Sequence, residues 1–176
     1  QNYSVTAVQK NILKNSTVGF IAVNRQAFDR SGLESNNYNR VIGSDFNFNS
    51  IDRTWSGKAL FHYAISPDVS QDNFTHATFL AYSKPNLFAM WNHEYVGKNH
   101  LADVGFAPRI ERFDPQTNTL RRKAYWRLEP MLAYIHFPKK KETRYISQRF
   151  EAYVDRYTDS SYILTDNQNR FRYILT

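Results

Sequence analysis

The sequence predicts an all-β protein that folds as an antiparallel, up-and-down meander. Apolar and polar residues alternate with a period of two along most of the 176 residues, and no stretch keeps the spacing of an amphipathic helix. Phenylalanine and tyrosine, which favour strands, number 13 and 12. We predict a single β-barrel domain or barrel segment over residues 1–176, as a fragment of a longer chain. The predicted strands cover 3–13, 17–25, 39–49, 53–66, 75–84, 87–96, 101–113, 119–137, 144–157 and 170–175.

The alternation is clearest in RTWSGKALFHYAISP, residues 53–67. One row contains Trp55, Phe61 and Tyr63, and the opposite row contains Lys58 and His62. In a water-soluble sandwich the aromatic row would form the core. In a transmembrane barrel the aromatic row would face lipid, and the polar row would line the interior. The segment by itself leaves both orientations open.

Strand length and loop length favour the transmembrane barrel. Most predicted strands have 9 to 14 residues, close to the ~9–11 that cross a bilayer obliquely. Short links at 14–16, 49–52 and 84–86 alternate with longer links at 26–38 and 67–74, as in a membrane meander with short turns on one side. Aromatic girdles are also typical of such barrels. The residues predicted to face lipid or form girdles are Trp55, Phe61, Tyr63, Trp91, Tyr95 and Trp126.

Two further segments separate apolar from polar side chains in the same way. In 41–50, Ile42, Phe46 and Phe48 oppose a row that contains Asp45 and Asn47. In 144–157, Phe150, Ala152 and Val154 oppose Arg149, Glu151 and Asp155. A row with charges of both signs fits a hydrated barrel lumen.

The amino-acid composition says less about cellular location and chemistry than the alternation of apolar and polar residues does. The chain has no cysteine, which excludes disulfides and thiolate metal sites. It starts at Gln1, which indicates a processed product or an excised segment. The net charge of +7 and the pI near 9.6 fit a nucleic acid, an anionic membrane surface or an acidic ligand. A mean hydropathy of -0.63 does not argue against a barrel, because half of each spanning strand is polar.

Three stretches, 13–26, 39–66 and 93–109, resemble a known family. They contain Asn24-Arg25, Gly43-Ser44-Asp45-Phe46 and Asp103-Val104-Gly105-Phe106-Ala107-Pro108-Arg109. These motifs resemble the C-terminal barrel of bacterial outer-membrane proteins that carry an N-terminal module similar to family nine carbohydrate-binding modules; the barrel is a domain of unknown function. The resemblance covers residues 1–115 and implies an outer-membrane barrel with a link to glycans. The module itself is absent here, and the last residues lack the terminal aromatic residue of a completed barrel.

Polar residues suggest a cluster in the lumen or at its rim. Its predicted members are Asp45, His93, Glu94, His100, Asp103 and Arg109. Asp103 and Arg109 flank Gly105 and Pro108 and are interpreted as an ion-paired or turn-shaping unit. The spacing of the two histidines and the acids matches no standard zinc motif, and we predict no metal ligands.

No catalytic residues and no cofactor are predicted. No G-x-S-x-G elbow is present, and nothing in the spacing of Asp45, Glu94, Asp103, Glu129 and Glu151 selects a catalytic pair. Labels such as membrane-associated hydrolase, carried by some relatives of the resembled family, leave a weak possibility of enzymatic activity. Asp68, Asp72 and Asn73 are interpreted as a solvated turn rather than a calcium loop.

The main hypothesis is therefore a bacterial outer-membrane β-barrel segment that serves as a pore, transporter component or assembly subunit. Its expected partners are the lipid bilayer or lipopolysaccharide, a glycan and other membrane proteins. The alternative is a soluble β-barrel or sandwich that binds a glycan or lipid. A second alternative is a single-strand nucleic-acid binder, suggested by Lys139-Lys140-Lys141 and by RRKAYWR at 121–127. The latter segment places its basic and aromatic residues on both faces of a strand, so nucleic acid is the less favoured partner.

Overall fold

The computed structural model describes residues 1–30, 32–67, 69–103, 109–139 and 144–176. These residues form strands, turns and loops and contain no helix, so none that is long and apolar enough to span a membrane. The strands are β1 (Asn2–Ile12), β2 (Ser16–Asp29), β3 (Gly32–Asn49), β4 (Trp55–Ile65), β5 (Phe74–Lys84), β6 (Leu87–Val96), β7 (Glu111–Asp114), β8 (Thr119–Arg122), β9 (Tyr125–Leu128), β10 (Met131–His136), β11 (Gln148–Asp159) and β12 (Leu164–Leu175).

Ten strands form one antiparallel sheet in chain order. The order is β1-β2-β3-β4-β5-β6-β10-β11-β12, and β9 also pairs with β6 and β11. β7 and β8 form a separate hairpin. The predicted all-β meander is thus confirmed. The barrel is not closed, because β1 and β12 do not pair within the described residues and remain the two edges of the sheet.

β9 and β10 lie on one continuous line between β6 and β11. Leu128 pairs with Arg156 and Met131 pairs with Tyr153, so both strands advance by three residues and the register is unchanged. Pro130 separates β9 from β10 because it has no N–H for the ladder, although its carbonyl still accepts a 3.1 Å hydrogen bond from the Val154 amide. The single strand predicted over 119–137 is therefore wrong in detail: its first part belongs to the β7–β8 hairpin.

Two other predicted segments differ from the structure. The long polar link expected at 26–38 is an extension of β2 and β3, in which Phe28 pairs with Leu33 and the register shifts near Ala27. Gly32 has φ of +122° in the tight connection, a conformation that glycine adopts at little cost. The strand predicted over 101–113 is wrong, because only Glu111–Asp114 forms a strand there among the described residues.

The links lie at two opposite ends of the sheet. We call the end with the links at 13–15, 50–54, 85–86 and 137–147 the turn end, and the end with the links at 30–31, 66–73, 97–124 and 160–163 the loop end. The predicted alternation of short links at one end with long links at the other is only partly observed. Two connections at the loop end are short, and the 137–147 connection at the turn end is long.

The sheet has one apolar and one polar face. From β2 to β12, large exposed apolar side chains share the apolar face, with exposed fractions from 39% at Val18 to 84% at Phe171. They include Phe20, Ile42, Phe61, Leu80, Trp91, Leu132, Phe150 and Phe171. The buried residues on the strands are mostly on the polar face, among them Val41, Ala64, Ala81, Tyr125, Ala133 and Glu151. The strongly apolar face is therefore the exposed one.

The predicted separation of rows is confirmed in β3 and β11. Cross-strand pairing puts Ile42 opposite Tyr63 and Asp45 opposite Leu60. In β11 it puts Phe150 opposite Tyr134 and Glu151 opposite Ala133. Since side chains alternate along a strand, Asp45 and Glu151 lie on the polar face, and Ile42 and Phe150 lie on the apolar face.

Candidate functional site: the two faces and the loop end

All six predicted aromatic residues lie on the apolar face. Trp55 pairs with Tyr82, Tyr63 with Phe74, Leu80 with Trp91 and Tyr95 with Trp126, and Phe61 lies between Trp55 and Tyr63 in the same row of β4. These pairings place Trp55, Phe61, Tyr63, Trp91, Tyr95 and Trp126 on one surface.

Aromatic side chains form two rows across the apolar face, one near each end of the strands. At the turn end Trp55 contacts Tyr82, with ring centroids 4.9 Å apart, and Phe150 contacts Tyr173 at 5.1 Å. At the loop end Phe61 stacks on Phe74 at 5.9 Å. Between the rows on β3–β6 and β9–β12, the apolar face carries two histidines and one charged residue, Arg156, which is next to the loop-end row because Thr158 pairs with Trp126.

His93 belongs to the aromatic row at the loop end and not to the polar cluster. Its ring lies 5.4 Å from Trp126 and 5.1 Å from His76. Glu94, the next residue, lies on the polar face and accepts a 3.1 Å hydrogen bond from the Tyr125 hydroxyl. The grouping of His93 with Glu94 and Asp45 is therefore wrong, because neighbours in a strand point to opposite faces.

Asp45 lies in a shallow trough on the polar face. A Cβ at Gly19 would be 2.2 Å from Asp45 Oδ1, and a Cβ at Gly43 would be 2.1 Å from the His62 ring. The two glycines thus allow Asp45 and His62 to lie flat over the sheet. Asn47 donates a 2.6 Å hydrogen bond to Asp45. The trough has a volume of about 540 Å³, and Lys58 also lines it.

A second polar group lies near the loop end, around Arg127. Its guanidinium binds Asp155 at 2.9 and 3.0 Å and Glu129 at 3.1 Å. Glu129 also accepts hydrogen bonds from Asn92 at 2.7 Å and from the Tyr153 hydroxyl at 2.6 Å. We call these residues the Arg127 network. It contains one of the acids considered in the sequence, Glu129, whereas Asp45 and Asp103 lie elsewhere.

The links at the loop end are held together by hydrogen bonds and close contacts among buried or half-buried residues, which we call the loop cap: Asn39, Asp72, Asn73, Gly97 and His100. Asn39, 3% exposed, donates to Ser66 Oγ at 2.8 Å and to the Leu101 carbonyl at 3.0 Å. Asn73 donates a 2.6 Å hydrogen bond to the Ala64 carbonyl. His100 Nδ1 lies 3.4 Å from the Asn73 carbonyl, which requires the proton on Nδ1 for a hydrogen bond.

The environment of His100 favours the neutral imidazole. Burial lowers the pKa of His100, the carbonyl of Asn73 opposes this effect, and the positive charges of His62 and Arg122 lower the pKa further. Arg122 itself donates to the carbonyl of His100 at 2.8 Å. His100 thus acts as a neutral hydrogen-bonding residue between two links.

Asp103 and Arg109 are not an ion pair. Asp103 accepts a 2.6 Å hydrogen bond from Arg25 Nε, and Arg109 donates one of 2.6 Å to Asp166. The predicted ion pair between them is therefore wrong, whereas the turn-shaping alternative depends on Gly105, Phe106 and Pro108, which lie outside the described residues. Asp103 instead connects the link after β6 to β2.

Arg109 and Ile110, in the link between β6 and β9, lie over the polar face. Ile110, 4% exposed, packs in a small core with Val96, Tyr125 and Tyr157. The guanidinium of Arg109 lies 4.2 Å from the centroid of the Tyr157 ring, and its hydrogen bond to Asp166 raises the pKa of Arg109. Asp166 is on the edge strand β12, where it pairs with Tyr157 of β11. The hydrogen bond of Arg109 therefore connects this link to the edge of the sheet.

The residues considered for a calcium loop have other partners or lie outside the described part, and so does part of the basic run. Asp72 accepts hydrogen bonds from the Tyr95 hydroxyl and from the Lys98 amide, and Asp68 is not described. In the described ranges no group of three or more His, Asp or Glu is placed to hold a metal. Of the basic run, Lys140 and Lys141 lie outside the described residues.

Sequence reasoning missed Arg25 and Arg127 as site residues. Arg25 pairs with Asp103, 78 positions away, and no local pattern marks such a contact. The sequence does contain a signal for Arg127, because the period of two places it on the same face of a strand as Tyr125 and Glu129. Comparison of the chain with protein-family models, with curated proteins and with solved structures finds no match.

Proposed function

We propose that this chain is a segment of a bacterial outer-membrane β-barrel that serves as a pore or transporter component. The apolar face would contact lipid, and the polar face would line a water-filled lumen. One observation carries the proposal: the large apolar side chains are exposed on a face whose only Asp, Glu, Lys or Arg between the aromatic rows, on the described strands β3–β6 and β9–β12, is Arg156 beside the loop-end row, and the opposite face holds most of the charges.

This arrangement is the reverse of the one that water favours. Exposed apolar patches on soluble monomers rarely exceed a few hundred Å², whereas this one extends over the strands from β2 to β12. Lipid removes the cost of exposing it, because the surrounding acyl chains are themselves apolar. A spanning sheet also needs its charges on the face that meets water.

The height of the apolar band fits a bilayer. The two aromatic rows are eight residues apart on β4 (Trp55 and Tyr63), on β5 (Tyr82 and Phe74) and on the β9–β10 line (Tyr134 and Trp126). Eight residues span about 27 Å along a strand. With a strand tilt of about 40°, the rows are roughly 21 Å apart along the membrane normal, close to the ~25 Å of a barrel's apolar band.

The open sheet also supports a larger assembly. Unpaired backbone groups at a sheet edge cost several kcal/mol each in hydrocarbon, so β1 and β12 require further strands when the sheet is in a membrane. The resemblance to the barrels of outer-membrane proteins with a carbohydrate-binding module gives these strands a source within one longer protein. Lipid or lipopolysaccharide is the proposed partner at the apolar face, and a glycan is a proposed ligand.

Cysteine labelling tests the proposed orientation, since the chain has no cysteine of its own. Phe61→Cys and Leu80→Cys report on the apolar face, and Asn47→Cys and Lys58→Cys report on the polar face. The full-length protein in outer membranes is treated with a membrane-impermeant maleimide before and after denaturation. We expect the polar-face cysteines to react in the membrane and the apolar-face cysteines to react only after denaturation.

Gel mobility of boiled and unboiled full-length protein gives an independent test. A heat-dependent shift of protein from the membrane fraction is expected for a closed barrel. Recovery in the soluble fraction, with fast labelling of Phe61→Cys, would contradict the proposal and favour a soluble protein that encloses a glycan or lipid.

A further inference from the structure

We propose that Arg149, Arg170 and Arg172 form a binding site for solutes that carry phosphate or carboxylate groups. The site lies on the polar face near the turn end of β11 and β12. Its position inside a lumen rests on the proposed function, whereas the capacity to bind an anion rests on the arginines themselves. We call the three residues together with Glu151 the arginine cluster.

One carboxylate holds the three guanidiniums together. Arg172 donates to Glu151 Oε1 at 2.7 Å, and Arg149 donates to Oε2 at 3.0 and 3.2 Å. The guanidinium of Arg170 lies 3.9 Å from Oε1. Glu151 and Arg172 are directly opposite each other on β11 and β12, and Arg170 follows two residues away on the same face.

The acid is hidden and the bases are accessible. The Glu151 side chain is 3% exposed, whereas those of Arg149, Arg170 and Arg172 are 34%, 46% and 47% exposed. Three positive charges against one negative charge leave a net charge of +2. An approaching solute therefore meets guanidinium groups and not the carboxylate.

The Arg127 network shows that this arrangement is not general on the polar face. There one arginine faces two acids, Glu129 and Asp155, and the side chain of Arg127 is only 23% exposed. The Nε and Nη2 groups of Arg127 both donate hydrogen bonds to Asp155. The arginine cluster is the opposite case, with an excess of donors over acceptors.

The number of donors leaves capacity for a ligand. Each guanidinium has five N–H groups and no acceptor. Arg170 makes no hydrogen bond to Glu151 at its distance of 3.9 Å. It is held instead by the Tyr153 ring, whose centroid is 4.7 Å from its Cζ. A guanidinium that is positioned but not saturated is suited to a bidentate bond with an oxyanion.

The position on the sheet selects a dissolved anion over a lipid headgroup. Glu151 and Arg172 alternate with Phe150, Ala152, Phe171 and Tyr173, which lie on the apolar face. A lipid that contacts the apolar face therefore cannot reach the guanidiniums through the sheet. The ligand class is a phosphate- or carboxylate-bearing solute on the polar side.

Thermal unfolding of the full-length protein in detergent, with inorganic phosphate as the probe, tests the site. We expect phosphate to raise the Tm of the parent protein by about 3 °C over chloride at equal ionic strength. In the double variant Arg170→Gln with Arg172→Gln this difference is expected to disappear. Arg156→Gln, an exposed arginine of β11 on the apolar face, is the matched control and is expected to keep it.

A shift of equal size in the double variant, or no shift in the parent protein, would overturn the anion site. Arg172→Lys separates charge from geometry, because lysine keeps the charge and loses the fork. We expect it to reduce the phosphate shift while retaining part of it. If the double variant does not fold, the single variant Arg170→Gln decides, since Arg170 has no hydrogen bond to Glu151 to lose.

Reversal potentials in planar bilayers connect the site to the lumen. The parent protein is expected to favour chloride over potassium more than the double variant does. Failure of the parent protein to enter bilayers would contradict the proposed function alone, because the phosphate shift is measured without a bilayer. An unchanged ion preference together with a lost phosphate shift would place the anion site outside the conducting path.

Discussion

Arg127 and Asp155 form a bidentate ion pair across β9 and β11, with hydrogen bonds of 2.9 and 3.0 Å. Both side chains are mostly buried, at 23% and 15% exposure. Glu129 adds a second carboxylate 3.1 Å from the same guanidinium. One arginine thus neutralises two acids that would otherwise repel each other on the polar face.

Removal of this arginine is expected to destabilise the fold. In Arg127→Gln, the two carboxylates lose their shared cation, and we expect a loss of about 2–3 kcal/mol in the free energy of unfolding. Urea titration of the folded protein, followed by tryptophan fluorescence, measures it. Arg156→Gln is the control, since Arg156 is exposed on the opposite face. Equal losses in the two variants would show that the ion pair contributes nothing specific.

Gly97 is required by a close approach of two links. A Cβ at position 97 would be 2.4 Å from the carbonyl oxygen of Asp72, a backbone atom that cannot rotate away. The amides of Lys98 and Asn99 donate to Asp72 at 2.9 Å each. We expect Gly97→Ala to cost about 1–3 kcal/mol and to speed hydrogen exchange of these two amides.

Gly43→Ala is the comparison for Gly97→Ala. The three atoms nearest to its Cβ would all belong to the His62 side chain, which can turn away, so a smaller loss and unchanged exchange at Lys98 and Asn99 are expected. The explanation would fail if both alanine variants opened the loop cap equally.

The apolar face offers a substitution whose effect differs between lipid and water. Leu80 lies between the aromatic rows and is 43% exposed. In a membrane Leu80→Arg is expected to cost about 2–4 kcal/mol, and Trp55→Arg, nearer the interface, about 0–1 kcal/mol for its charge. In water an arginine at an exposed leucine would change stability by no more than about 0.5 kcal/mol. Unfolding from lipid vesicles measures both, and a neutral Leu80→Arg would argue against lipid contact.

The strands and faces were accessible from the sequence because they depend on local alternation. Phe46 and Phe48 repeat every second residue, and the same period marks Glu151 and Asp155. The extension of β2 and β3 through 26–38 was not accessible. Its residues are mostly polar on both faces, so the alternation that identifies the other strands is missing there.

Ion pairs between residues that are distant in the chain could not be predicted from the sequence either. Asp103 and Arg109 are six residues apart and look like partners, yet their ion pairs are with Arg25 and Asp166. Which arginine reaches which acid depends on how the links fold over the end of the sheet. Pro130 illustrates a milder case: a sheet tolerates it in the interior because β9 and β10 keep one register on both sides.

His100 makes the stability of the loop cap dependent on pH. Burial lowers its pKa in the folded state below the ordinary value of 6.5. Between the pKa of His100 in the closed cap and its higher pKa in the opened cap, the opened cap binds more protons. The stability of the closed cap relative to the opened cap therefore falls as pH falls through that window. We expect the amides of Asn99 and His100, after correction for intrinsic exchange, to lose protection as pH decreases from about 7 to 5.

His100→Asn is the control for this dependence. Asparagine retains a hydrogen-bond donor for the Asn73 carbonyl and does not titrate in this range. Its loop cap is expected to be less protected at pH 7 but to show little change on acidification. A pH dependence that persists in His100→Asn would assign the effect to another group, and protection that rises on acidification would mean that the protonated imidazole is the bound form.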